Sequence, residues 1–115
     1  MTKPHLSPWT EAGSLIFVSG QLAFDSSGAI SATDIAGQTR QVLKNLDSVL
    51  HSAGVTLSQV IKTTVWLTKV ADFPAFNEAY AAEFGEVKPS RSTVIGTLVL
   101  PQALIEIEAI AKRAS

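Results

Sequence analysis

The chain has 115 residues, 46% of them hydrophobic and 17% charged, enough for the core of one domain over residues 1–115 and too apolar for a disordered chain. Its net charge is −1, with nine Lys/Arg scattered from Lys3 to Arg113, so it lacks the basic stripe expected of a nucleic-acid binder. The absence of cysteine excludes a disulfide framework and thiolate chemistry, and no run approaches the roughly 18 apolar residues of a membrane span.

The opening stretch Met1-Thr2-Lys3-Pro4-His5-Leu6 lacks the apolar core of a signal peptide, and a soluble cytoplasmic protein is the expectation. Ser14–Phe24 reads as a long strand closed by the turn signal Asp25-Ser26-Ser27-Gly28. Gly20 within it marks a bulge or the close approach of another backbone. Ser31-Ala32-Thr33-Asp34 has the spacing of a helix capping box, and Gly54 is placed to end that helix. Between them Ile35, Val42, Leu43, Leu46, Val49 and Leu50 recur at helical spacing.

Val60–Thr68 alternates as a strand, with Ile61, Thr63, Val65 and Leu67 on one face and Lys62, Thr64, Trp66 and Thr68 on the other. Asp72 is the expected cap of a second helix, with Pro74 in its first turn, Gly85 at its end, and Phe73, Phe76, Tyr80 and Phe84 on its buried side. Two closing strands, about Ser92–Leu100 and Leu104–Ala111, flank Pro101-Gln102. The order β, α, β, α, β, β predicts an α+β fold with both helices on one face of a sheet. The other face then displays Trp66 and part of the closing strands, and self-association is the simplest way to cover it.

Two residues carry the chemical interest. Arg91 opens the run Val94–Leu100, and Glu106 lies between Ile105 and Ile107 in a β-branched stretch where acids are depleted. An arginine on a neighbouring strand would account for that carboxylate, and its planar fork also matches a substrate carboxylate. The bland alternative is a salt bridge from Arg91 to Glu106 or Glu108 that ties two strands. Glu106 and Glu108 share a strand face, so local pattern does not separate them. Ser19 lacks a nucleophile elbow, and His5 and His51 share no motif with it or with any cysteine, so neither a serine nucleophile nor a metal site is expected.

Five strings in order resemble the RidA/YjgF family of reactive-intermediate (enamine/imine) deaminases, whose members once carried the label L-PSP endoribonuclease. They are Leu15–Gln21 (LIFVSGQ), Ile61–Val65 (IKTTV), Phe76–Tyr80 (FNEAY), Pro89–Val94 (PSRSTV) and Ile105–Ala111 (IEIEAIA). The resemblance implies a chorismate-mutase-like fold assembled as a homotrimer, with sites in the clefts between subunits. It places the substrate-carboxylate arginine at Arg91, the water-positioning glutamate at Glu106, and further substrate contacts at Ser19 and Asn77. Thr93 stands where members often carry cysteine, and the contact made there is largely through backbone. Trp9, in Ser7-Pro8-Trp9-Thr10, replaces the tyrosine of a G-P-Y-S pattern and offers no phenolic hydroxyl; the loop after it is shorter.

The implied reaction is hydrolysis of a short 2-enamino or 2-imino acid, such as 2-aminoacrylate or 2-iminopropanoate, to a 2-keto acid and ammonia. Arg91 would hold the carboxylate while Glu106 takes a proton from water and returns it to the departing nitrogen. That chemistry calls for no metal or organic cofactor, and the expected partners are a small carboxylate and further copies of the chain. The rival readings are a non-catalytic ligand-binding or chaperone-like oligomer and a ribonuclease, the latter disfavoured by the lack of a basic groove or histidine pair.

Overall fold

The structure is a computed structural model that describes residues 3–115; Met1 and Thr2 of the N-terminal stretch lie outside the described residues. Helix α1 (Ile35–Ser52) follows the predicted stripe: Ile35, Val42, Leu43, Leu46 and Leu50 are buried and Val49 half-buried. Its cap is Asp34, whose side chain accepts from Gly37 N at 2.9 Å, and not Ser31. The Ser31 hydroxyl instead donates to Asp25. Asp25 also accepts from the Ser27 hydroxyl and from the Ser27 and Ala29 amides. These bonds, those from the Ser27 and Ser31 hydroxyls above all, hold its pKa at about 2. Gly54 has φ +81° just past the helix, as its position predicts.

Five strands form one sheet: β1 (Trp9–Ala12), β2 (Leu15–Gln21), β3 (Val60–Leu67), β4 (Ser90–Ile95) and β5 (Ile105–Lys112), in the order β1-β2-β5-β3-β4. Only β3 and β4 pair in parallel, joined through α2 (Phe73–Phe84) as parallel strands require. Strand β1 is an addition to the expected set; Trp-Thr-Glu-Ala shows no β-branched alternation that would announce it. Strand β2 stops at Gln21 and not at Phe24. The ladder shifts register between Val18 and Gln21, and Asn45 of α1 takes up the Leu22 and Phe24 carbonyls beyond it. Strand β4 ends at Ile95, where the Gly96 amide turns to Leu67 O, so the apolar run to Leu100 is loop.

Both helices lie on one face, as the element order predicts. Ile16 and Val18 of β2, Val65 and Leu67 of β3, and Ile105, Ile107, Ala109 and Ala111 of β5 form the sheet side of the core, against Leu43, Leu46, Phe76 and Tyr80. Ile61 does not join them: a bulge between Val60 and Lys62 puts Val60 in the core and leaves Ile61 exposed. Phe73 is likewise 39% exposed, and Asp72 makes no side-chain cap to α2.

Gln38 is the buried polar clamp of this core. Its Nε2 donates to Ala32 O and Gln102 O, and its Oε1 accepts from Leu104 N at 2.8 Å, tying the β4–β5 loop to α1. Gln38→Ala orphans three backbone groups at once and is expected to cost about 2 kcal/mol or more, read from the urea unfolding midpoint.

Candidate functional site

Strand registers decide where the two key residues point. Arg91 pairs with Thr63 across β3–β4, and Thr63 is buried beneath α2, its hydroxyl 2.7 Å from that of Tyr80. Glu106 pairs with Trp66 across β3–β5. Residues 63 and 66 of one strand face opposite ways. Arg91 is therefore on the helix face and Glu106 on the open face, with β3 between their strands. The expectation that Arg91 sits beside Glu106 on an adjacent strand fails for one chain, and so does the strand-tying salt bridge. Neither glutamate appears among the ion pairs of the described residues.

The guanidinium has other company. Its Nη2 donates to Asn77 Oδ1 at 2.9 Å, and its carbon lies 5.9, 5.1 and 5.0 Å from the ring centroids of Phe73, Phe76 and Tyr80. Three tilted aromatic rings of one helix surround the cation by cation–π attraction, and Asn77 takes one of its five donors. The aromatic stripe of α2 reads in sequence as core alone. Its excess of rings at i, i+3 and i+7 was the signal for a platform. Asn77, on the same helix, orients the arginine. Thr93, half-buried and two residues on from Arg91, shares its face. Arg91 and Asn77 thus form one cluster, with Thr93 on the same face of β4.

Glu106 forms the other. Its pKa is raised by burial first and by the charge of Glu108 second. Its carboxylate lies against Gly20: a Cβ there would stand 2.9 Å from Glu106 Cδ and closer still to Oε2. The bulge at Gly20 is thus present as expected, but the group approaching it is a side chain and not backbone. Gly20→Ala is expected to cost about 1–3 kcal/mol by overpacking, seen in urea unfolding. The displaced carboxylate, moved toward water, should titrate closer to the ordinary glutamate value by carboxyl carbon NMR.

Ser19, next to Gly20, has its hydroxyl committed: Oγ donates to Ser7 O at 2.6 Å, and Ser19 N donates to Pro8 O. It fastens the N-terminal segment to β2. Trp9 pairs with Val18 and packs half-buried against the core, on the β1 edge of the sheet, the far edge from β4. Within one chain neither residue joins the Arg91 cluster.

The open face carries Phe17 (38% exposed), Trp66, Val94 (43% exposed) and Ile110 around Glu106 and Glu108. Among the described residues no helix is long and apolar enough to cross a membrane.

Residues 2–113 match the family model described as Endoribonuclease L-PSP. The chain is similar to a RutC family protein of Pyrococcus horikoshii, 47% identical over 102 residues that cover 88% of this chain and 81% of that one. It is also similar to the 3-aminoacrylate deaminase RutC of Acinetobacter baylyi, 40% identical over 96% of this chain and 90% of that one. Among solved structures it is similar to E. coli TdcF with bound serine: TM-score 0.89, 34% identity, covering 99% of this chain and 91% of that one.

Proposed function

The chain belongs to the Endoribonuclease L-PSP (RidA/YjgF) family, and we propose that it is a hydrolytic deaminase of reactive 2-enamino and 2-imino acids, working as a homotrimer with its sites between subunits. The observation that carries this reading is Arg91: a guanidinium within 5.9 Å of three ring centroids, anchored by one amide, and without an acidic partner among the described residues. Such a group is prepared for an outside carboxylate. A relative named 3-aminoacrylate deaminase and a structural relative that binds serine, a small amino acid with a carboxylate, support the substrate class.

In this reading the substrate carboxylate takes the fork of Arg91, with Thr93 beside it, and this fixes the C=N carbon. Water adds to that carbon while Glu106 accepts its proton. Glu106 returns that proton to nitrogen to complete the carbinolamine, and it then carries the hydroxyl proton to the same nitrogen as the C–N bond breaks, releasing ammonia and leaving the 2-keto acid. A carboxylate whose pKa is raised toward neutrality is suited to both transfers. Because Arg91 and Glu106 face opposite ways in one chain, in this reading Glu106 comes from a second copy, docked through the open face. Light scattering is expected to give three times the 12.2 kDa chain mass; a monomer at micromolar concentration contradicts it.

The test is complementation. Arg91→Ala and Glu106→Gln should each abolish loss of 2-aminoacrylate, followed with a semicarbazide trap. Unfolded and refolded together in equal amounts, they should regain roughly a quarter of wild-type activity, since a site between copies draws one residue from each. No recovery in well-formed mixed trimers would place both residues in the same chain's site. RNA incubated with wild-type and Arg91→Ala protein supplies the control for the ribonuclease reading: cleavage lost only in the variant would favour it.

A further inference from the structure

Beside Arg91 a cleft of about 220 Å³ opens between the last turn of α2 and the segment leading into β4. Its walls are Tyr80, Ala81, Phe84, Val87 and Pro89, and among the described residues Arg91 and Lys88 are its charged lining. Tyr80 belongs to both places, since its ring is one of the three beneath the guanidinium and lies 4.6 Å from the Phe84 ring. We infer that this cleft is a side-chain subsite that selects 2-imino acids with a branched aliphatic or aromatic side chain over those with a methyl group. The inference rests on the reading of Arg91 as the carboxylate clamp and adds the substrate's other end to it.

The physical case is one of matched surfaces. A carboxylate on the Arg91 fork brings the side chain of the same small molecule within a few ångströms of Tyr80. The wall that continues from there is carbon: two rings, a valine, a proline and an alanine methyl. No acid lines it to repel the ligand's own charge. Since liquid water takes about 30 Å³ per molecule, the cleft has room for roughly seven waters, ample for an isobutyl or benzyl group. Water on such a wall gains little from it, and an apolar group that displaces it gains on the order of a fewfold in affinity per buried methylene. Lys88, exposed at the rim, adds positive potential that favours the anionic end without contacting the tail.

Binding of the keto-acid products tests this separately from turnover. Calorimetric titration of wild-type protein should show 4-methyl-2-oxopentanoate bound roughly tenfold more tightly than pyruvate. Ala81→Leu, an exposed helix position where leucine is well tolerated, fills the cleft and should erase that preference. Ala82→Leu, which faces the groove between α1 and α2, should leave it intact. The ratio of kcat/KM for leucine-derived over alanine-derived imine should follow the same pattern. Equal affinities in the wild type, or a preference that survives Ala81→Leu, overturns the subsite. So does tightest binding by 2-oxoglutarate, which would assign the cleft to an acidic arm on Lys88. A binding preference without any turnover would sink the deaminase reading and leave the subsite standing; binding of none of the three acids would remove Arg91 as the clamp and the subsite with it.

Discussion

Arg91→Lys is expected to lower kcat/KM for imine hydrolysis by about 10- to 150-fold while the protein stays folded, the equivalent of losing about 1.5–3 kcal/mol of charge-assisted hydrogen bonding. Lysine keeps the charge but not the function of this position. Arginine here presents a plane: Phe73, Phe76 and Tyr80 lie within 5.9 Å of its carbon, and Asn77 takes one of its five donors. An ammonium has no plane to stack and no fork to offer two carboxylate oxygens. The fold should survive, because Arg91 makes no salt bridge among the described residues and Phe76, Tyr80 and Phe84 hold α2 in the core without it. The loss should appear as weaker binding of 2-keto acids and as a lower kcat/KM for the imine. Unchanged kinetics would show that the arginine only ties α2 to β4.

Much of this architecture is legible from local pattern, and the reason is periodicity. The stripe from Ile35 to Leu50 specifies α1, and the alternation of Ile105, Ile107 and Ala109 with Glu106 and Glu108 specifies both the strand and its two faces. What is not legible depends on register between distant strands. Nothing local to Ser90–Val94 says that Arg91 will stand opposite Thr63 and not Thr64, and a slip by one residue would have turned it to the face of Glu106. The parallel β3–β4 pairing through α2 fixes that parity. The same holds for Gly20: its place in a strand marks an anomaly, but only the folded sheet puts the Glu106 carboxylate against it. Trp9 occupies a motif position in the sequence, but its pairing with Val18 sends it to the helix face. Ser31 matched a capping spacing, yet Asp25 offered its hydroxyl an ionised acceptor nearer to hand. In each case a contact made only in the folded chain decided the outcome, whether near in sequence, as Asp25 is to Ser31, or distant, as Glu106 is from Gly20.

Glu106→Gln and Glu108→Gln should separate two carboxylates that composition treats as equal. Both lie on the open face of β5, but Glu106 is half-buried against Gly20 and Glu108 is exposed. Glutamine at 106 keeps the shape and a hydrogen-bonding oxygen but cannot carry a proton from water to nitrogen. Turnover is therefore expected to fall roughly 10²-fold or more, with the affinity for 2-keto acids nearly unchanged. Glu108→Gln should leave neutral-pH turnover close to wild type and act on the pH profile instead. The negative charge of Glu108 is one of the two causes that raise the Glu106 pKa, after burial. Removing it stabilises ionised Glu106, so that pKa falls and the acid limb of kcat/KM moves to lower pH. A rise of the acid limb, or a turnover loss at 108 that equals the loss at 106, would mean that Glu108 is the carboxylate in the cleft.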